Sequence, residues 1–201
     1  MPASGRIVIL NGAPRSGKST LAAAIAEHLP GSWINLGVDT YSRALPKAML
    51  PGIGLRPGGE RPDLEPLLPV LYAAIYDSMA AHARLGLDVV ADFGHHDDYS
   101  RPLGILVACA RRLAGLPVLF VGIDCPLAVI LERRRRDPHG GFYTTDEAIV
   151  RRWQEAVHKP GIYDLTVDTS AMSPLDCAQK IGEALAAPPA PSAFERLAVM
   201  A

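Results

Sequence analysis

The sequence predicts an α/β domain in which five parallel strands form one sheet with helices on both faces. Three observations lead there. Short apolar runs recur along the 201 residues, each followed by a helical pattern, as expected of strand–helix crossovers. The first run passes through a glycine-bearing loop straight into a helix. Acidic residues stand just after the second and third runs, at the strand ends where open parallel sheets collect their ligands.

The first strand covers residues 7–10 (IVIL) and is followed by a loop over residues 11–17. Residues 12–19, GAPRSGKS, fit G-x-x-x-x-G-K-[ST] without a mismatch, and a strand before and a helix after are the context that pattern needs. Backbone N–H groups of such a loop curl into a concave anion site, and the positive end of the helix dipole adds to it. The nucleotide-binding residues of this reading are Gly12, Ala13, Pro14, Arg15, Ser16, Gly17, Lys18, Ser19 and Thr20. Lys18 reaches the β- and γ-phosphates as a point charge, and the Ser19 hydroxyl is a ligand for Mg²⁺.

Leu21, Ile25 and Leu29 continue the first helix four residues apart with small alanines between them, a stripe suited to close packing on a sheet. Pro30-Gly31 ends it. Residues 33–36 form a short second strand, and Gly37-Val38-Asp39-Thr40 leads into a helix expected to run to Met49. Asp39 is either the cap of that helix or a group facing a cleft at the sheet edge. The Pro- and Gly-rich stretch 51–69, with Arg56, Glu60, Arg61 and Asp63 interleaved, is either a disordered surface loop or an insertion that covers a substrate. A third helix follows to about Leu85, with Leu71, Ile75 and Met79 on one stripe.

Residues 87–91 make the third strand, ended by Asp92-Phe93-Gly94-His95-His96-Asp97-Asp98. An acidic residue directly after a buried strand is the position from which P-loop proteins hold Mg²⁺ or its water shell, so Asp92 is the metal candidate beside Ser19. The His-His-Asp-Asp run lacks Cys and the helical i, i+4 spacing of a transition-metal site. His95 or His96 is instead expected to line the substrate cleft, or Asp97 or Asp98 to cap the next helix.

Residues 103–113 are a helix and 118–123 the fourth strand, after which Pro126 opens another helix. That helix runs into Glu132-Arg133-Arg134-Arg135-Arg136-Asp137. Four consecutive arginines point to several sides of a helix, so some serve only the dipole at its end. Arg133 and Arg136, three apart on one face, are the pair expected to clamp a transferring phosphoryl group as a lid over residues 133–145 closes about Gly140-Gly141. The helix at 146–157 is expected to be capped by Thr144 or Thr145, with Glu147 completing the cap. Residues 163–167 are the fifth strand. Thr169, in the loop after it, lies where P-loop kinases cover the base and is counted with the nucleotide contacts; Ser173-Pro174 starts a helix. Residues 1–186 are read as one domain, and the tail 187–201 as a mobile end or a contact in a homo-oligomer.

Composition narrows the partners. Apolar residues make up 49% and charged residues 20%, with a formal net charge of -1, so no global field points to nucleic acid or an anionic membrane. Cys109, Cys125 and Cys177 are an odd, widely spaced set, which excludes a disulfide framework and points to reduced thiols in the cytoplasm. The N-terminus enters the first strand without a signal-peptide pattern, and no apolar run approaches the ~18 residues that span a bilayer. The arginine run and the acidic residue after the second strand favour a kinase for a small molecule over a mechanical or signalling NTPase. Asp39 can then serve as general base for the acceptor hydroxyl.

NGAPRSGKS, LPGSWINLGVDTYSRALPKAM and VHKPGIYDLTVDTS resemble the chloramphenicol phosphotransferase-like family of P-loop kinases, over roughly residues 6–186. The shared features are an I-L-N-G opening, a W-x-x-x-G-V-D segment and a late V-H…Y-D-x-x-V-D-T stretch. The resemblance implies a P-loop NTPase fold of the nucleoside-monophosphate/shikimate-kinase type with an Arg-rich lid. It implies ATP- and Mg²⁺-dependent phosphorylation of a hydroxyl on a small, partly apolar compound, a class that includes antibiotics. It also implies Asp39 as catalytic base, Lys18 and Ser19 as nucleotide and metal contacts, and Arg133 as the matching lid position. The chain departs from the family in Ala13-Pro14-Arg15-Ser16 inside the loop, in Phe93 where a second acidic residue often stands, and in the 51–69 insertion. Two other readings are a zeta-toxin-like kinase of nucleotide sugars and a nucleotide-binding regulatory ATPase that transfers no phosphate to a small molecule.

Overall fold

The computed structural model describes residues 4–137 and 144–200. Strands β1 (Ile7–Asn11), β2 (Trp33–Asn35), β3 (Asp88–Phe93), β4 (Val118–Asp124) and β5 (Leu165–Asp168) lie in the order β2-β3-β1-β4-β5, all parallel. The helices are α1 (Lys18–His28), α2 (Val38–Ser42), α3 (Leu68–Arg84), α4 (Ile105–Arg112), α5 (Leu127–Arg136), α6 (Glu147–Val157), α7 (Pro174–Ala186) and α8 (Ala193–Ala198). This is the expected parallel sheet with flanking helices.

The uninterrupted apolar run of β1 is explained by burial on both faces. Ile7 and Ile9 join Val89, Ala91, Phe93 and Phe120 in a core under α3, α4 and α8. Val8 and Leu10, one residue out of phase, join Val90, Val121 and Ile123 in a second core under α1 and α7. A third cluster, with Ile130, Leu131, Val150 and Trp153, holds α5 against α6. At the opposite edge from the site, Asp88 Oδ1 accepts from the Arg6 backbone N–H at 2.7 Å and from Arg6 Nε at 3.0 Å, and Oδ2 accepts from Nη2 at 2.6 Å.

Several expectations are corrected. The helix after β2 stops at Ser42, not Met49, because Pro46 disfavours helical backbone at Leu45; a separate 3₁₀ turn covers Lys47–Met49. The 51–69 stretch is no disordered loop. It contains two 3₁₀ turns, it buries Ile53 and Leu55 in the core, and its last two residues already belong to α3, whose first turn tolerates a proline. Helix α6 is capped by Asp146, which accepts from Ala148 N and Ile149 N, because it directly precedes the helix; Thr144 Oγ1 accepts only the Asp146 N–H, at 3.1 Å.

The tail is part of the domain. A Ser192–Glu195 capping box starts α8, Phe194 meets Phe120 edge-on at 5.1 Å, and Asp164 Oδ1 accepts the Ala193 N–H at 2.5 Å. No helix among the described residues is long and apolar enough to cross a membrane.

Candidate active site

The loop between β1 and α1 is shaped by residues that only fit in one way. A Cβ on Gly12 would stand 2.8 Å from the Ile123 carbonyl oxygen, and Gly17 has φ 96°, a conformation that costs side-chain-bearing residues energy. Arg15 nonetheless adopts φ 71°. Among the described residues no side chain caps α1, so the N–H groups of its first turn are left for a ligand. Gly12, Pro14, Arg15, Gly17, Lys18, Ser19 and Thr20 line a cavity of about 700 Å³. Ala13 and Ser16 are buried, and their carbonyls accept from Lys18 and Thr169; the Ser16 hydroxyl has no hydrogen-bond partner among the described residues.

Lys18 Nζ donates to the Ala13 carbonyl at 2.8 Å. Burial pushes its pKa down to about 8, with Asp92 and Asp39 opposing and Arg56 assisting. The pairing of β3 with β1 places Asp92 opposite Leu10, and Ser19 Oγ donates to Asp92 Oδ2 at 2.7 Å. These are hard oxygen donors side by side at the cavity wall, which fits Mg²⁺. Gly37 lies against the same carboxylate: a Cβ there would fall 1.8 Å from Asp92 Oδ1.

Asp39 sits in the first turn of α2 and lines the cavity. It is not the cap, since Gly37 holds that position and its N–H donates to Asn35 Oδ1 at 2.9 Å. Of the two roles left open by the sequence, the geometry retains the cleft-facing one.

The arginine run divides differently from the expected pairing of Arg133 with Arg136. Arg133 lines the cavity; its Nη2 donates to the Thr169 carbonyl at 2.8 Å and its Nη1 to Thr169 Oγ1 and the Arg15 carbonyl, both at 3.3 Å. Thr169 Oγ1 in turn donates to the Ser16 carbonyl at 2.5 Å, so Thr169 ties the β5–α7 loop to the phosphate loop. Arg136 lies outside the cavity, 77% exposed and paired to Glu132 at 2.9 Å, because that glutamate one turn earlier captures it. The second cavity-lining arginine of the run is Arg134, 2% exposed, with Nε donating to the Thr144 carbonyl at 2.5 Å and its guanidinium 5.0 Å from the Trp153 ring. Arg15 reaches from the loop to Asp137 at 2.6 Å, within the segment expected to form the lid. The Gly140-Gly141 hinge and Phe142 lie outside the described residues.

The two histidines diverge. His95 is buried, with Nε2 2.7 Å from the Tyr76 hydroxyl, and burial beside His96 pushes its pKa down to about 3; it is a neutral core group, not a cleft residue. His96 lines the cavity, donating Nε2–H to the Leu55 carbonyl at 2.9 Å and accepting the Asp98 N–H at 3.2 Å. Burial lowers its pKa as well. Asp97 Oδ1 accepts the Leu103 and Gly104 N–H groups ahead of α4, at 2.7 and 3.2 Å.

Sequence reasoning missed Arg56 and Trp153, which line the cavity and touch each other, 5.3 Å from guanidinium to ring. A signal existed for the first: an arginine between Leu55 and Pro57 inside an otherwise uncharged half of the insertion. Trp153 had none, because its indole sits on the apolar stripe of α6 and reads as core.

Comparison with known proteins agrees with this geometry. A family model described as chloramphenicol phosphotransferase-like protein matches residues 5–186. A protein of Mycobacterium tuberculosis named "Putative O-phosphotransferase Rv2636" is 28% identical, over 96% of this chain and 88% of its own length. Among solved structures, the Mycobacterium tuberculosis APS kinase in complex with AMPPNP and APS superimposes with a TM-score of 0.65 at 20% identity, covering 92% of this chain and 100% of that one. Shikimate kinase from Acinetobacter baumannii in complex with shikimate gives a TM-score of 0.59 at 17% identity, covering 88% and 90%. The fold is that of the P-loop kinases, and the chain belongs to the chloramphenicol phosphotransferase-like family.

Proposed function

We propose that the protein transfers the γ-phosphoryl group of ATP to a hydroxyl of a small molecule. The observation that carries this reading is one cavity that holds three things together: the phosphate loop with Lys18, the Ser19–Asp92 pair, and Asp39. The name of the Mycobacterium tuberculosis relative, an O-phosphotransferase, agrees with it.

Loop N–H groups and Lys18 would hold the β- and γ-phosphates, with Thr169 and the β5–α7 loop beside them. Ser19 and Asp92 would hold Mg²⁺, which supplies charge neutralisation at those phosphates when bound. Asp39 accepts the proton of the acceptor hydroxyl as its oxygen forms the new O–P bond; the bond from the γ-phosphorus to the β,γ-bridging oxygen breaks, and ADP leaves with that electron pair. Lys18 and Arg133 face the charge that develops on the transferring group. Arg133 is held for this by its bonds to Thr169 and Arg15.

The test is incubation of the protein with γ-labelled ATP, Mg²⁺ and a panel of hydroxylated antibiotics and metabolites. The expected result is one labelled small molecule for each ADP formed. Release of free phosphate alone with every acceptor, at a rate no acceptor changes, would replace this reading with that of a regulatory ATPase.

A further inference from the structure

Four arginines line the cavity: Arg15, Arg56, Arg133 and Arg134. Three of them have an oxygen partner, in Asp137, the Thr169 carbonyl and the Thr144 carbonyl. The Arg56 guanidinium has none among the described residues; there it lies over the face of Trp153. A guanidinium partly withdrawn from water into a cavity wall, with no acceptor among the described residues, keeps its N–H groups available for a ligand.

The position is nonetheless fixed. On one side of Arg56 the Leu55 carbonyl accepts from His96 at 2.9 Å; on the other the Pro57 carbonyl accepts the Trp153 indole N–H. The Trp153 ring faces two guanidiniums, Arg56 at 5.3 Å and Arg134 at 5.0 Å. Burial and the nearby Arg134 charge both push the Arg56 pKa down, while Asp39 pulls it up. Arg56 is therefore a cation held in place near Asp39, crowded by a like charge and, among the described residues, without a hydrogen-bonded anion. His96 cannot supply a second charge, since both its ring nitrogens are committed to backbone groups.

Resting on the phosphotransferase reading above, we propose that the acceptor is an acid: a small hydroxylated compound bearing a carboxylate or phosphate, which Arg56 receives while the hydroxyl lies at Asp39. The planar fork of a guanidinium matches both oxyanions, and an entering anion removes the repulsion from Arg134. The 51–69 insertion thereby acts as the specificity element, with Arg56 on the cavity wall.

The experiment saturates the protein with AMPPNP and Mg²⁺, so that the phosphate loop is filled, and titrates paired probes that differ only in the acidic group. The pairs are gluconate with glucitol and glycerol 3-phosphate with glycerol, read by calorimetry. At least one acid is expected to bind 30-fold or more tightly than its neutral partner, and which pair responds distinguishes carboxylate from phosphate. R56Q is expected to reduce that preference below 3-fold, and R56K to restore part of it. Equal binding of acid and neutral probes, or a preference that survives R56Q, overturns the proposal. So does a loss of AMPPNP affinity in R56Q as large as the loss for the acid, which would make Arg56 a nucleotide ligand. An acid that binds through Arg56 but gains no label when ATP replaces AMPPNP leaves the anion site standing and removes the transfer reading instead.

Discussion

Nucleotide affinity is expected to fall as pH rises through the pKa of Lys18. Burial lowers this lysine from 10.5 to about 8, so at pH 7 most molecules carry the ammonium and at pH 9 only about a tenth do. A bound triphosphate brings the pKa back up, since an opposite charge favours the charged form. Affinity for AMPPNP is then constant below about pH 7.5 and weakens about tenfold, or about 1.4 kcal/mol, per pH unit above 8. Lys18→Arg provides the control, because a guanidinium keeps its proton throughout. Titrations of ligand and Mg²⁺ are common to both proteins and cancel in the ratio of their Kd values. The assay is calorimetric titration of wild type and K18R from pH 7 to 9.5. Stability has the opposite sign: the unfolded chain holds the Lys18 proton to higher pH than the folded protein, so the nucleotide-free protein gains stability between pH 8 and 10.5. Parallel Kd profiles for wild type and K18R across the whole range would show that the Lys18 charge does not set nucleotide affinity.

Other outcomes follow from single contacts. At Asp88, burial raises the carboxyl pKa but the hydrogen bonds from Arg6 outweigh it and hold it below the ordinary value. Asp88→Asn should therefore lower stability by about 1–3 kcal/mol at pH 7, and chemical denaturation should show the difference shrinking as pH falls below about 4. Arg133→Ala should reduce kcat/KM for transfer by about a hundredfold, whereas Arg136→Ala, which loses only an exposed pair with Glu132, should stay within about twofold. Phe194→Ala removes a 4% exposed ring from the core, and should cost about 3–5 kcal/mol in a urea melt.

The sheet and the phosphate loop were legible because both are local. Apolar runs bounded by turn residues specify strands, and the spacing from Gly12 to Ser19 specifies a backbone shape whatever the rest of the chain does. Asp39 and Asp92 could be placed because strand ends in a parallel sheet converge on one edge. What escaped is set by contacts distant in sequence. The choice of Arg134 over Arg136 depends on the Trp153 ring and the Thr144 carbonyl, and on Glu132 capturing the other guanidinium. The order within the insertion depends on Ile53 and Leu55 reaching the core and on Tyr72 donating to the Ile53 carbonyl at 3.1 Å. The tail looked mobile because Pro and Ala dominate its first half, while the few residues that anchor it, Phe194 and Leu197, find their pocket only once α4 and β4 are in place.

On the proposed function, Asp39 activates an acceptor hydroxyl in the cavity that Lys18 also lines. Asp39→Asn, compared with wild type for phosphoryl transfer to an identified acceptor and for AMPPNP affinity, tests it most directly. Transfer is expected to fall about a thousandfold while the nucleotide Kd changes no more than a few-fold. Transfer that stays within a few-fold of wild type would contradict it.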